Sequence, residues 1–159
     1  MNLGMGTVIE LGEGLGLQFG KATLALHPAV VEDHPALKNW VNREIAVGVR
    51  SENMEDANLI RGGAPENSTV EATVSLTEAL GSEIVVHFDL DVPKVVTEDT
   101  KALEHDSGAD DTGLHTDATR FVASFALRSR VRIGDSIRVV VDTERLHFFD
   151  PATGTAVRD

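Results

Sequence analysis

The sequence predicts an all-β protein, and three observations support this fold class. Apolar and polar residues alternate along most of the 159-residue chain, as strands with one buried face require. Turn signals separate these alternating segments at short intervals. A single segment instead spaces its apolar residues as a helix does. Several short strands joined by turns are typical of a β-barrel rather than of an α/β sheet, so we expect a barrel with one short helix.

The first elements are predicted to be a strand pair and the helix. Residues Thr7 to Leu11 and Lys21 to Leu26 alternate as strands, and the glycine-rich segment Gly14 to Phe19 between them is interpreted as a bend. Asp33 can cap the helix. Its apolar residues at helical spacing are Leu37, Trp40 and Val41. We expect Trp40 to pack this helix over an open end of the barrel.

The remaining strands follow the same period of two. One strand is marked by three alternating apolar residues, Ile45, Val47 and Val49. Residues Val70 to Leu90 form a predicted hairpin whose turn is Leu80-Gly81-Ser82. Two more strands, Phe121 to Leu127 and Ile137 to Val141, lie on either side of a turn at Gly134-Asp135. Three phenylalanines fall on the predicted inward faces, Phe88, Phe121 and Phe125.

The segment from Pro93 to Asp117 is predicted to be a long solvated loop. It is acidic, poor in apolar residues and without period. Its imidazoles and carboxylates are suitable metal ligands in type: His105, Asp106, Asp110, Asp111, His115 and Asp117. Their spacing matches neither a calcium loop nor a zinc-binding helix pair, so the solvated loop is the favoured interpretation and no metal site is predicted.

Charge and composition exclude several classes of function. The net charge of -12 argues against nucleic acid as a partner, because neutralising phosphates requires Lys and Arg. Only 4% of residues are aromatic and none is tyrosine, which disfavours base stacking. Alternate arginines at 128, 130 and 132 suggest a basic stripe, which we interpret as a solvated strand face. The absence of cysteine excludes disulfides and thiolate metal sites.

The sequence shows no motif for catalysis or nucleotide binding. Gly20-Lys21 falls short of a P-loop, because Leu15 stands where the first glycine is needed and Ala22 where a hydroxyl residue is needed. There is no G-x-S-x-G nucleophile elbow and no cysteine nucleophile. We therefore predict no catalytic residue, no bound cofactor and no independent enzyme activity.

Three motifs occur in order along the sequence: G-V-R-S-E-N-M from Gly48, E-A-L-G-S-E from Glu78 and E-R-L-H-F-F-D-P-A-T-G from Glu144. They resemble motifs in the C-terminal regulatory domain of ATP-binding subunits of maltose-type ABC importers. Typical members of that family read G-I-R-P-E-H-L, E-P-L-G-S-E and E-R-L-H-L-F-D-x-x-T-G. Met1-Asn2 is similar to the end of the family's P-A-M-N segment. The first motif departs from the family at Ser51 and Asn53.

The resemblance implies one regulatory barrel over residues 1–159, of the oligonucleotide/oligosaccharide-binding (OB)-like, transport-associated type, with Pro93–Asp117 as an insertion. It also implies that the N-terminal ATPase domain, with its ATP and Mg²⁺, is absent from this chain. The function implied is non-catalytic regulation and dimerisation in an importer of maltose, trehalose or glycerol-3-phosphate type. Expected partners are a second copy, permease subunits contacted through the ATPase domain, and a regulatory protein. The expected location is cytoplasmic, at the inner face of the cell membrane.

The motifs supply the candidate site residues, which we expect to be structural or interface groups: Gly48, Arg50, Glu52, Glu78, Gly81, Glu83, Arg145, His147, Phe149 and Asp150. Gly48 is expected to permit close packing, and Arg50 to pair with an acidic side chain. We expect His147 to be satisfied in or near the core. Phe149 and Asp150 are expected to close the barrel and to cap the turn that follows.

A second function stays open at this point. The barrel class also suits a free-standing OB-like module that binds a small anion or an oligosaccharide. The region upstream of Met1 distinguishes the two, since the importer reading requires it to encode an ATPase domain.

Overall fold

The computed structural model describes residues 1–95 and 118–158, which contain ten strands and a few short helices. The strands are β1 Asn2–Leu11, β2 Gly14–Phe19, β3 Ala22–Ala25, β4 Glu44–Val49, β5 Met54–Asp56, β6 Thr69–Ala79, β7 Glu83–Leu90, β8 Thr119–Ala126, β9 Ser136–Val141 and β10 His147–Phe149. The one α-helix among the described residues is α1, Pro28–Asp33. Four short 3-10 helices cover Pro35–Trp40, Ser51–Asn53, Ala57–Leu59 and Thr143–Arg145. The predicted all-β class is confirmed.

The strands form two five-stranded sheets whose neighbouring strands are antiparallel. The first sheet has the order β10-β4-β1-β2-β3 and the second β5-β9-β6-β7-β8. The second sheet curls until its edge strands meet and nearly closes as a barrel. Glu55 of β5 makes this closing contact, because its carboxylate accepts a hydrogen bond from the backbone N–H of Ala126 of β8 at 3.2 Å.

Both sheets bury their inner faces in one shared apolar core. Phe19 of the first sheet contacts Phe121 of the second, with ring centroids 6.0 Å apart. Phe121 also lies against Phe88, at 6.2 Å. All three rings are almost completely buried, as are Phe125 and Phe148. The predicted inward positions of Phe88, Phe121 and Phe125 are therefore confirmed.

The side chain of Asn2 adds a polar link between the sheets. Its Oδ1 accepts a hydrogen bond from the backbone N–H of Val122 at 2.9 Å, and its Nδ2 donates to the Val122 carbonyl at 2.8 Å. The same Nδ2 donates to the Val49 carbonyl of β4 at 3.1 Å. β8 is an edge strand of the second sheet. The Asn2 side chain therefore satisfies backbone groups of β8 that a further strand would otherwise have to pair with.

The predicted hairpin between residues 70 and 90 is present as β6 and β7. Gly81 has φ 77°, the left-handed conformation that glycine adopts without strain. Leu76 departs from the predicted pattern, because the pairing of β6 with β7 shifts register between Val74 and Leu76. The bulge at Ser75 reverses the alternation, so Leu76 is 41% exposed although its position in the sequence pattern indicates an inward face.

The interpretation of Gly14 to Phe19 as a bend was wrong. The segment is strand β2, which pairs with β1 on one side and β3 on the other. Leu15, Leu17 and Phe19 face the core, and Gly16 between the two leucines permits close strand packing. A Cβ on Gly16 would lie 3.1 Å from the Leu11 side chain and 3.2 Å from the Leu24 carbonyl oxygen.

The predicted helix is also displaced. α1 begins at Pro28, and His27 caps it by accepting the Ala29 N–H on Nδ1 at 3.2 Å. Asp33 ends α1 instead of capping a helix, and Pro35 starts a separate 3-10 turn because it has no N–H with which to continue an α-helix. Trp40 is half-buried against the core, and the Arg43 guanidinium lies 4.3 Å from its ring centroid.

The predicted basic stripe does not form, because residues 127–135 are a loop rather than a strand. Ser129 in this loop donates its hydroxyl to buried Asp56 at 2.7 Å. The predicted turn at Gly134 is present, with φ 90°. Strand β9 then pairs with β5 and β6, although β8 precedes it in the chain.

From position 96 onward, the proposed insertion at 93–117 lies outside the described residues. The six candidate metal-ligating side chains named in it lie outside them as well. Within the described ranges the longest helices have six residues, and none is long and apolar enough to cross a membrane.

We predict that replacing Asn2 with alanine lowers the free energy of unfolding by about 1–3 kcal/mol, because both backbone groups of Val122 lose their partner. Urea denaturation measures this change. Asn39→Ala is the matched control, since Asn39 is exposed in the 3-10 turn. Equal stability of the two variants would contradict the link between the sheets.

Candidate functional site

Pairing between β4 and β10 brings two of the three sequence motifs together. The strands are antiparallel, and His147 lies opposite Gly48. The chain leaves β4 at Val49 and continues through Arg50 into the 3-10 turn Ser51–Asn53. The 3-10 turn Thr143–Arg145 leads into β10 beside it. Motif residues almost 100 positions apart in the sequence therefore share one side of the molecule.

A cleft of about 690 Å³ lies where these segments meet, and we call it the His147 cleft. It is lined by Asp33, His34, Arg50, Glu52, Asn53, Glu144, Arg145, Leu146, His147 and Arg158. Four of the predicted site residues contribute to it: Arg50, Glu52, Arg145 and His147. Gly48 lies beside it on β4.

His147 lines the wall of this cleft with a half-buried ring. No hydrogen-bond partner of its ring is found within residues 1–95 and 118–158. Burial lowers the pKa of His147 below its usual 6.5, and the positive charges of Arg50, Arg158 and His34 lower it further. The neutral imidazole is therefore favoured near neutral pH, in a surrounding of positive groups.

His34 is a second histidine of the cleft, and sequence analysis missed it. Its Nδ1 lies 3.0 Å from the Val30 carbonyl oxygen. Because a carbonyl oxygen can only accept, Nδ1 carries the proton, and Nε2 of the neutral ring is the acceptor. The ring packs edge-on against Phe148, with centroids 5.8 Å apart. No motif marks His34 in the sequence, because it reaches the cleft from the end of α1.

Ion pairs at the cleft margin involve Glu144 and Arg145. His27 Nε2 lies 3.0 Å from a Glu144 oxygen, and Arg145 Nε lies 3.5 Å from an Asp142 oxygen. Arg50 differs from its expectation: no ion pair between it and a carboxylate is found in the part of the chain that the structure describes. Its guanidinium faces the cleft without such a partner there.

Gly48 lies against the side chains of Met1 and Leu3. A Cβ at this position would lie 2.7 Å from Met1 Sδ and 3.3 Å from a Leu3 methyl group. Asp150 caps the following turn, since its Oδ1 accepts the Ala152 N–H at 2.8 Å. The residue buried in the core is Phe148, however, whereas Phe149 is half-buried on the opposite face of β10.

The second motif does not reach the cleft. Glu78, Gly81 and Glu83 lie at the β6–β7 turn of the other sheet, where the Leu80 N–H donates to the Glu83 carbonyl at 2.9 Å. A Glu78 oxygen lies 3.7 Å from His87 Nε2 on the neighbouring strand. The structure therefore assigns this motif to the hairpin turn, and no contact with the other two motifs is found among the described residues.

A second groove, of about 900 Å³, opens between the two sheets. Its basic side chains already have partners: Lys21 lies 3.7 Å from Asp91, and Arg138 donates to the Thr69 hydroxyl at 3.2 Å. The described residues contain no group of three acidic or histidine side chains that could hold a metal ion.

We predict that Arg50→Gln raises the pKa of His147, because a positive charge that opposes its protonation is removed. NMR titration of the ring resonances measures this pKa. Arg138→Gln removes the same charge from the second groove and should leave the pKa of His147 unchanged. An equal pKa in the wild type and the Arg50→Gln variant would show that Arg50 does not act on this ring.

No family model matches the chain, but several curated proteins do. The trehalose/maltose import ATP-binding protein MalK of Thermococcus litoralis is 32% identical over 141 residues, covering 89% of this chain and 31% of that protein. The trehalose import ATP-binding protein SugC of Mycobacterium tuberculosis is 34% identical over 143 residues, covering 89% and 34%. The oligosaccharides import ATP-binding protein MsmX of Bacillus subtilis is 26% identical over 121 residues, covering 76% and 26%.

These matches share one feature. The chain spans about a third of the length of the first two relatives, and the part matched is their C-terminal third. Nearly nine-tenths of the chain is aligned in both cases.

Proposed function

Because this chain is homologous to the C-terminal domain of sugar-importer ATP-binding subunits, we propose that it is the regulatory and dimerisation domain of such a subunit. The observation that carries the proposal is the alignment of 89% of the chain with the C-terminal third of two such proteins. The fold supports it, since two sheets around one core form a unit that can be appended to another domain.

In this proposal the chain itself is not catalytic, and ATP and Mg²⁺ belong to an ATPase domain elsewhere in the full-length subunit. The surroundings of Gly20-Lys21 support this division. The pair forms the tight turn between β2 and β3, and Gly20 has φ 62°. A Cβ there would collide with the Asp91 carbonyl oxygen, so glycine is explained by packing rather than by phosphate binding.

The mechanical role we propose is to hold two subunits together while their ATPase domains open and close. A domain with this role must be rigid and must carry a self-complementary surface. Rigidity is supported by the shared aromatic core and by the hydrogen bonds of Asn2 across the two sheets. In the proposed assembly, permease subunits contact the ATPase domain, and the complex lies at the cytoplasmic face of the cell membrane.

Exposed apolar side chains give two surfaces on which a second copy could pack. Met1 and Leu3 of the first sheet are 63% and 39% exposed. Leu80 and Leu127, 57% and 51% exposed, lie at the same end of the second sheet, because Glu83 beside the hairpin turn pairs with Ala126. Burial of large apolar side chains drives most stable association, so these two surfaces are where the dimer contact should be sought.

We predict that the purified chain forms a dimer of twice 17.1 kDa, populated increasingly as its concentration rises. Sedimentation equilibrium measures this directly. A monomer at every accessible concentration would contradict dimerisation by this domain.

Matched variants then locate the contact. Leu3→Asp changes the first surface, and Leu127→Asp changes the second by the same substitution. Only the variant on the true interface should shift the equilibrium to monomer, because a buried unpaired carboxylate strongly disfavours association. Circular dichroism of each variant checks that the fold is retained.

A further inference from the structure

We propose that the His147 cleft binds a small molecule that carries a phosphate or carboxylate group. The inference goes beyond regulation and dimerisation as proposed above and does not depend on either. Its basis is a cavity of ligand size in which basic side chains from four separate segments of the chain converge.

The cleft has the dimensions of a small-molecule site. Its volume of about 690 Å³ falls within the range of roughly 300–1,000 Å³ that is usual for such sites. His34 lines the cleft from the end of α1, Arg50 from the end of β4 and His147 from β10. Arg158, the last described residue, also lines it. The Ala36 N–H donates to the Arg158 carbonyl at 3.4 Å and so fixes the backbone at that position.

Four charged side chains of the cleft lining have no ion-pair partner among the described residues: Arg50, Arg158, Asp33 and Glu52. Glu144 is engaged by His27 and Arg145 by Asp142, as described above. Arg50 and Arg158 have no ion-pair partner within residues 1–95 and 118–158. Two guanidinium groups facing one cavity form a site suited to an oxyanion, because each presents a fork of N–H donors that matches a phosphate or a carboxylate.

The field at His147 agrees with this assignment. The groups that act on its ring are Arg50, Arg158 and His34, all of them positive, and they act in a chain whose net charge is -12. These three basic groups favour an anion placed beside the His147 ring.

Binding should strengthen as the pH falls. The cleft is lined by three arginines and by three carboxylates, those of Asp33, Glu52 and Glu144, so these formal charges cancel. His147 then decides the balance, because its protonation adds a positive charge and a new N–H donor. By linkage, a bound anion must raise the pKa of His147.

The second groove is less suited to this ligand. Lys21 and Arg138, its basic side chains, already contact Asp91 and Thr69, and its margin also carries Glu71 and Asp89. It therefore serves as the internal control.

Inorganic phosphate is the probe, and NMR titration of the histidine rings in the 159-residue chain is the measurement. We expect phosphate to raise the pKa of His147 and to leave the ring resonances of His87, on the second sheet, unperturbed. Arg50→Gln and Arg158→Gln should each weaken phosphate binding by roughly tenfold or more, the effect of one charge-assisted hydrogen bond. Arg138→Gln should have no effect on it.

Acetate in place of phosphate distinguishes the two ligand chemistries: a response to either anion supports the site, and the stronger one identifies the group. A pKa of His147 that is unchanged by both anions would overturn the proposal. Equal weakening by Arg138→Gln and Arg50→Gln would also overturn it, since binding would then reflect overall charge. Sedimentation of the same samples reports dimerisation separately, so failure of one proposal is not mistaken for failure of the other.

Discussion

The contact between Phe19 of β2 and Phe121 of β8 joins the two sheets. Both rings belong to the shared apolar core around which the domain is built. Both five-stranded sheets bury inner-face residues in this one core. Asn2 supplies the complementary polar link, because its amide satisfies the backbone of Val122 at the edge of β8. This aromatic contact and this amide side chain, together with the rest of the shared core, fix the relative position of the two sheets. Any role that requires a rigid domain depends on them.

The candidate site depends in turn on β4. This strand pairs with both β1 and β10, and its residues from Ile45 to Val49 are buried on both faces. Its pairing with β10 places Gly48 opposite His147, which brings the first and third motifs to one cleft. Residues of the first and third sequence motifs therefore line one cavity of the fold. The middle motif instead forms a hairpin turn.

The local alternation of apolar and polar residues predicted much of the fold. It did not predict which residues meet at the His147 cleft. The hairpin turn at Gly81 could be predicted because alternation and turn chemistry are local properties. Strand β2 was misread because its glycines signal a bend, whereas Gly16 permits close packing of neighbouring strands. The bulge at Ser75 leaves no mark in the alternation. His34 and Arg158 could not be predicted as neighbours of His147, because tertiary packing alone brings their segments together.

The central claim is that this chain is the appended domain of a sugar-importer ATP-binding subunit. The most direct test is the mass of the native gene product in its source cells, detected with an antibody against this domain. The account predicts a product about three times as long as this chain, since the chain covers 31% and 34% of two relatives. A native product of 17.1 kDa would contradict it and would favour a self-contained binding module.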